Sequence, residues 1–315
     1  MEWHRAIQDF LVELRQSRGA SENTILAYQN DLSQLAHFLN AHLGSKERWR
    51  EVDGNVLNAY VQSWLVNRRY TSSTLARKIA ALRTFFRWLL QRGIVNEDPS
   101  AQLRSPKVER RLPRLLDEHE VQRLFAVIAQ SVSFRALRDR ALLEVIYAAG
   151  LRVSEAVGLR LRDVDLVNGI VFCAGRHGRV RSVPLTSSAI AALQEYLRHR
   201  YEVASVEPEA YLFVNSRGNK LTRQSVWQTI RHYGEAAGLG SDLTPHTLRH
   251  SRAAHLLEKG FDIHRVREWL GHANLATTYL YRQFYNQVRS DALNAARHLS
   301  TTAAASLSQP ITVSA

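Results

Sequence analysis

The stretch from Leu243 to Tyr281, LTPHTLRHSRAAHLLEKGFDIHRVREWLGHANLATTYLY, constrains the fold more than any other. Its punctuation predicts two consecutive helices. Thr244 is placed to cap the first, with Pro245 at the first helical position, where a missing N–H costs nothing. Gly260 stops that helix, Asp262 caps the next and Gly271 ends it. His246 and Arg249 then stand i, i+3 on one helical face. His272 follows a helix end, and Tyr281 comes nine residues later. Taken alone, an Arg and a His on one face make a structural polar pair as readily as a site. Tyr279, Tyr281 and Tyr285 read equally well as packing or surface aromatics. His246 and His250, at i, i+4, imitate a zinc pair, but no Glu or Cys stands at the spacing of a zinc motif, so no metal site is expected.

The remainder reads as a mainly α chain of two domains, which 315 residues can fill with separate cores. Residues 1–103 show helical stripes: Trp3, Ile7, Phe10, Leu11 and Leu14; then Tyr28, Leu32, Leu35 and Leu39; then Val61, Trp64 and Leu65; then Leu75, Ile79, Leu82, Phe86 and Leu89. Ser72 or Ser73 is expected to cap the fourth helix. Residues 104–114, RSPKVERRLPR, carry two prolines, five basic residues and one acid, the composition of an extended linker. In residues 115–300, Asp117 and Glu120 fit a capping box, and a helix from about Arg135 stops at Gly150. GIVFCAG and VRSVPL form a strand pair, and helices resume near Ser187, after Thr222 and after Thr244. The expected fold is thus mainly α with a small antiparallel β-sheet. Residues 301–315 have no charged side chain and are expected to be a disordered tail.

The formal net charge is +13, which favours a polyanionic partner, nucleic acid first. Residues 1–110 hold 16 Lys and Arg against 11 Asp and Glu, leaving 26 against 18 for the rest, so both halves are basic. No apolar run approaches the ~20 residues that span a bilayer, and the acids among the first residues argue against a signal peptide. A single cysteine, Cys173 in an apolar strand, reads as packing. Cytoplasmic location without membrane insertion is the default expectation. An RNA-binding module is disfavoured, because no aromatic stacking signature is present.

Cleaving a phosphodiester with a protein nucleophile requires the nucleophile, positive charge on two non-bridging oxygens and proton transfer at each end. The Leu243–Tyr281 segment supplies these residue types, and Arg152 in GLRVSEAVGLRLRDVDL adds a second guanidinium. In this order, H-x-x-R, a His after a glycine, and a Tyr nine residues on, the chain resembles the tyrosine recombinases. GLRVSEAVGLRLRDVDL is similar to that family's first conserved box and HTLRH through LATTYLY to its second. SSTLARKIAALRTFFRWLLQRG and LRSPKVERRLPRLLDEHEV resemble its Xer subgroup. The resemblance covers residues 5–290, nearly the whole chain.

The resemblance implies a two-domain clamp on a DNA duplex and a reaction through a 3′-phosphotyrosine link, needing no metal, ATP or other cofactor. Tyr281 would attack phosphorus. Arg152 and Arg249 would hold the non-bridging oxygens, as planar, always-charged guanidiniums suit. His246 would accept the tyrosine proton, His272 would donate to a phosphate oxygen, and Glu155 would support the site from behind. One position departs from the family: a lysine in the strand-pair turn protonates the leaving 5′ oxygen, and here that turn reads GRHGRVRSVPL, with Arg176 at the lysine position. A guanidinium is a poor proton donor, so Arg176 acts electrostatically with water as acid, or His177 donates instead, or cleavage is slow. Thr71, Ser72, Ser73, Arg77, Lys78 and Arg83 on the fourth helix, with Lys107, Arg110 and Arg111 of the linker, are the expected DNA contacts. The partners implied are a double-stranded recombination site, a homo- or hetero-tetramer of recombinase protomers on two such sites, and an accessory activator or DNA translocase. The role implied is Xer-type resolution of chromosome or plasmid dimers. The alternatives are a mobile-element or phage integrase of the same chemistry, and a DNA-binding accessory homologue whose cleavage is impaired.

Overall fold

The computed structural model describes residues 2–18, 20–43, 49–66, 70–107, 114–175, 179–272, 278–279 and 281. The chain divides into two units, Met1–Arg111 and Leu112–Ala315. The division falls within the basic segment 104–114.

The first unit holds four helices: α1 (Glu2–Arg18), α2 (Glu22–Leu43), α3 (Gly54–Val66) and α4 (Ser72–Gln91). The apolar stripes read from the sequence meet in one core. Trp3, Ile7 and Phe10 of α1, Leu32, Leu35 and Leu39 of α2 and Ile79, Phe85, Phe86 and Leu89 of α4 are all buried there. Trp49, on a short 3-10 turn between α2 and α3, stands edge-on to Trp3 and Phe85, the arrangement aromatic quadrupoles favour.

Three details of α4 differ from the expectation. Its cap is Thr71, whose hydroxyl accepts from the Thr74 N–H, while Ser72 and Ser73 are the first helical residues. All three side chains remain exposed. Lys78, expected as a DNA contact, is turned inward: it is 2% exposed, 3.1 Å from the Asp31 carboxylate and bonded to Gln34 Oε1 at 2.6 Å. The rings of Trp64 and Tyr70 lie 5.2 and 4.9 Å from its Nζ. A lysine one step off the apolar stripe turns inward because a buried acid on α2 pairs with it; unpaired, Asp31 would carry a large desolvation cost. Arg77 pairs with the same carboxylate, and Arg83 donates to the Leu103 carbonyl, so both are partly engaged within the unit. Lys107 is exposed, whereas Arg110 and Arg111 lie outside the described residues.

The second unit contains α5 (Glu118–Ile128), α6 (Phe134–Ala149), the one-turn α7 (Val153–Ala156), α8 (Ser187–Arg200), α9 (Arg223–Ala236), α10 (Pro245–Glu258) and α11 (Ile263–Leu270). The Asp117–Glu120 capping box is formed at the head of α5. Helix α6 is buried on nearly every side and forms the axis of the unit, with α8 and α10 packed against it. Apolar residues occupy every face of its second half, as a helix covered all round requires. The sheet is antiparallel in the order β1-β2-β3. The predicted pair is β2 (Ile170–Ala174) with β3 (Val180–Pro184), in the register Val171↔Val183 and Cys173↔Arg181. The third strand, β1 (Val164–Asp165), has two residues and is too short to show a period in the sequence. Cys173 points into the core, where burial pushes its thiol up to about 12, as a packing residue should be. Among the described residues no helix is long and apolar enough to cross a membrane.

Candidate active site

The site assembles where two helices end. Helix α6 stops at Gly150 and α11 at Gly271, each glycine in the left-handed region with φ of 58° and 62°. Such caps turn the chain sharply and leave helix C-terminal carbonyls to be satisfied from outside. Arg249, on α10 and 3% exposed, satisfies both ends: one guanidinium nitrogen donates to the Gly150 carbonyl, the other to that of Leu270 at 2.6 Å. Arg152, at the N-cap of α7, donates to the Gly271 carbonyl at 2.7 Å. The negative ends of two helix dipoles thus converge on two guanidiniums. The i, i+3 pair His246–Arg249 read from the sequence lies on α10 as expected, after the Thr244 cap and Pro245.

Glu155 holds the cations together. It accepts from both the backbone N–H and the guanidinium of Arg152, each at 2.8 Å, and lies 3.9 Å from Arg249. A third arginine, which no motif in the sequence singles out, completes the group. Arg181 on β3 donates to both Glu155 oxygens, at 3.1 and 2.8 Å, and through Nε to the Trp269 carbonyl at 2.9 Å. A signal for it is nonetheless present in the sequence. In β3 the side chains alternate, with Val183 inward, so Arg181 also faces inward, and an inward charge needs a partner. Burial alone would raise the Glu155 carboxyl, but the hydrogen bonds and charge of Arg181 and then of Arg152 outweigh it and hold it below the usual range. Burial and Arg152 bring Arg249 down to about 10, which leaves it charged at neutral pH. Three guanidiniums face one carboxylate, so the group carries surplus positive charge suited to a phosphate with two free oxygens.

Tyr281 is 3% exposed and packs among Ala253, Leu256, Val266 and Leu270. Its hydroxyl is hydrogen-bonded to Nδ1 of His250 at 2.5 Å. The His272 ring lies parallel to the phenol at 6.0 Å, with Nδ1 3.0 Å from Thr278 Oγ1. The family resemblance gives the tyrosine's proton to His246. The structure makes His250, one turn further along α10, the partner of Tyr281, while His246 lies at the surface with its ring 5.9 Å from that of His250. Tyr281 packs against Ala253 and Leu256, further along α10, and position 250 is one turn nearer to them along the helix axis than position 246.

The imidazoles are neutral at physiological pH. Burial, then Arg249 and Arg152, bring His272 down to about 3; burial, then His246 and Arg249, bring His250 to about 4. His246, although it reaches solvent, is lowered by the same loss of hydration and by the two arginines. Burial raises the Tyr281 phenol, and Arg249 and Arg152 oppose that rise. Of the competing tyrosines, Tyr279 is exposed and Tyr285 lies outside the described residues. Arg176 and His177 also lie outside them.

This geometry, a buried phenol beside paired guanidiniums, bears on the relatives of the chain. The phage integrase family matches residues 114–287, and the N-terminal SAM-like domain of phage integrases matches residues 7–93. The chain belongs to the phage integrase family, the tyrosine recombinases. It is 43% identical over 278 residues to tyrosine recombinase XerC of Roseiflexus sp. (strain RS-1), covering 87% of this chain and 88% of that protein. It is 38% identical over 298 residues to tyrosine recombinase XerD of Pseudomonas aeruginosa, covering 94% and 97%. In fold it is similar to the XerH site-specific recombinase in a post-cleavage complex with palindromic difH substrate, with a TM-score of 0.71, 24% identity, and coverage of 89% of this chain and 81% of that one.

Proposed function

We propose that this chain recombines DNA at a specific duplex site, as an Xer-type recombinase, with Tyr281 as nucleophile. The observation that carries this reading is the convergence of Tyr281, Arg152 and Arg249 in one cationic cluster. A scissile phosphate drawn to the guanidiniums exchanges its two non-bridging oxygens for the carbonyls they now hold. His246 and His272, being neutral, donate N–H to the phosphate without adding charge. Attack by Tyr281 Oη forms a bond to phosphorus and breaks the bond to the 5′ oxygen. The energy of the broken phosphodiester stays in the 3′-phosphotyrosine, so rejoining needs no ATP. The residues 1–103 and 115–300 act as two domains on one duplex, joined by the basic segment 104–114. Protomers act as a tetramer on two sites, in the cytoplasm, and the role is resolution of chromosome or plasmid dimers.

The test uses a nicked duplex carrying the recombination site, from which a short fragment diffuses away after cleavage and traps the covalent intermediate. A protein–DNA adduct on a denaturing gel is expected for the wild type and not for Tyr281→Phe. Tight binding without any adduct would instead favour an accessory, non-cleaving homologue. The arginine at position 176 is the feature that points that way, because it removes the family's leaving-group acid.

A further inference from the structure

One residue of the cluster has no task in phosphate binding or in attack. His250 touches the nucleophile's own oxygen, yet it is neither a phosphate ligand nor part of the apolar packing. We propose that His250 is the catalytic residue that takes the proton of Tyr281 as the phenol attacks, with His246 left to bind the phosphate. This rests on Tyr281 being the nucleophile.

Geometry carries the assignment. Nδ1 of His250 stands 2.5 Å from Oη, close enough for a general base to reach the proton it removes. The two rings are 5.3 Å apart and tilted by 41°, so the contact is edge-directed at the hydroxyl and not a face-to-face stack. Both groups sit on fixed elements: His250 in the middle of α10, and Tyr281 in the apolar cluster with Ala253, Leu256, Val266 and Leu270. The other candidate bases face elsewhere. His272 Nδ1 is taken by Thr278, and the ring of His246 lies beyond His250 on the solvent side.

The charged and titratable groups around this pair are His246 and Arg249 on α10, Arg152 and Glu155 at α7, Arg181 on β3 and His272 after α11. In the free protein burial, then His246 and Arg249, disfavour a proton on His250, which keeps its nitrogen open as an acceptor. A phosphate seated on Arg152 and Arg249 places a negative charge within the same cluster and favours the imidazolium. The base is therefore weak until the substrate arrives and strengthens with it. In the step itself the Oη–P bond forms, the P–O5′ bond breaks, the phenolic proton passes to Nδ1, and the 5′ oxygen takes a proton from solvent or from His177. In rejoining, the imidazolium returns its proton to the departing phenolate oxygen.

The experiment measures single-turnover adduct formation on the nicked duplex for wild type, Tyr281→Phe and His250→Asn. Asparagine keeps a hydrogen-bond acceptor close to the position of Nδ1 but cannot take up a proton. His250→Asn is expected to cleave ~10²–10⁴-fold more slowly while binding the duplex as the wild type does. Replacing Tyr281 by a fluorinated tyrosine, whose phenol is more acidic, is expected to recover much of that loss and to change the wild type little. Cleavage by His250→Asn at the wild-type rate, or a deficit that the acidic phenol does not relieve, overturns the proposal while Tyr281 stands. No adduct from wild type overturns both readings. A measurement independent of the variant's folding is ¹⁵N NMR of histidine-labelled wild type. It should find Nδ1 of His250 unprotonated and shifted by Tyr281→Phe; a proton on Nδ1 there would overturn the assignment.

Discussion

Arg181 shows how one side chain joins parts of the site that are far apart in sequence. It fastens β3 to Glu155 of α7 and to the Trp269 carbonyl of α11. Arg181→Ala removes two of the bonds that orient Glu155, and through it Arg152. A fall of ~10–100-fold in single-turnover cleavage is expected, as for other groups that orient a site's ligands, with duplex affinity changed only a few-fold. Arg181→Lys should not restore the rate, because an ammonium cannot make the two-pronged contact; a fully active Lys variant would contradict this role. Arg176→Lys should act in the opposite sense, raising the cleavage rate at nearly unchanged affinity by returning a group that can release a proton. Equal or slower cleavage by that variant would remove the proton-donor argument.

Helix ends and helix faces carry the next level. Gly271 has φ of 62°, and a Cβ there would stand 2.9 Å from Arg181 Nη1 and 3.1 Å from its Cζ. Gly271→Ala therefore combines backbone strain with displacement of the Glu155 partner. A destabilisation of about 1–3 kcal/mol is expected from urea midpoints, and unchanged stability would show that the chain can turn otherwise. In the first unit the buried Lys78–Asp31 pair makes a separate prediction. Lys78→Met leaves Asp31 with Arg77 alone, so the destabilisation should approach the lower end of about 3–5 kcal/mol for breaking a buried pair. The salt dependence of duplex binding should stay unchanged, since removing one phosphate-binding cation would lower the slope by about 1. A lowered slope for Lys78→Met would return that residue to the DNA-facing set.

Across the whole chain the charge balance decides pH behaviour. His246, His250, His255 and His272 all have depressed pKa values, with burial the first cause in each. The unfolded chain protonates such groups near 6.5, whereas the folded chain resists until about 4 for His250 and about 3 for His272. Below pH 6.5 the unfolded state therefore binds more protons, and stability falls as pH falls. Each fully affected group adds a slope of up to about 1.4 kcal/mol per pH unit. Thermal midpoints at constant ionic strength should drop steadily from pH 7 to pH 4.5; a flat or rising midpoint over that range would show that the histidines are not held neutral. A duplex that seats a phosphate in the cluster should lessen the drop, by favouring the charged imidazoles.

The sequence alone determined the helical stripes, the caps at Asp117, Thr244 and Asp262 and the stops at Gly150 and Gly271, because these are local: they depend on side chains within one or two turns. It also determined the order of Arg152, His246, Arg249, His272 and Tyr281, because linear order survives folding. Only the tertiary structure decided which polar side chains face one another. Lys78 reads as a DNA contact because its inward partner, Asp31, lies 47 residues earlier. Arg181 escapes notice in the sequence because an inward arginine gains meaning only from Glu155 on another element. His250 reads beside His246 as a metal-like pair, since helical spacing reports neighbours along α10 but not what packs against its flank. A hydrogen bond of 2.5 Å to Tyr281 is a long-range contact, fixed when α11 and the chain beyond it pack onto α10, and no local rule contains it.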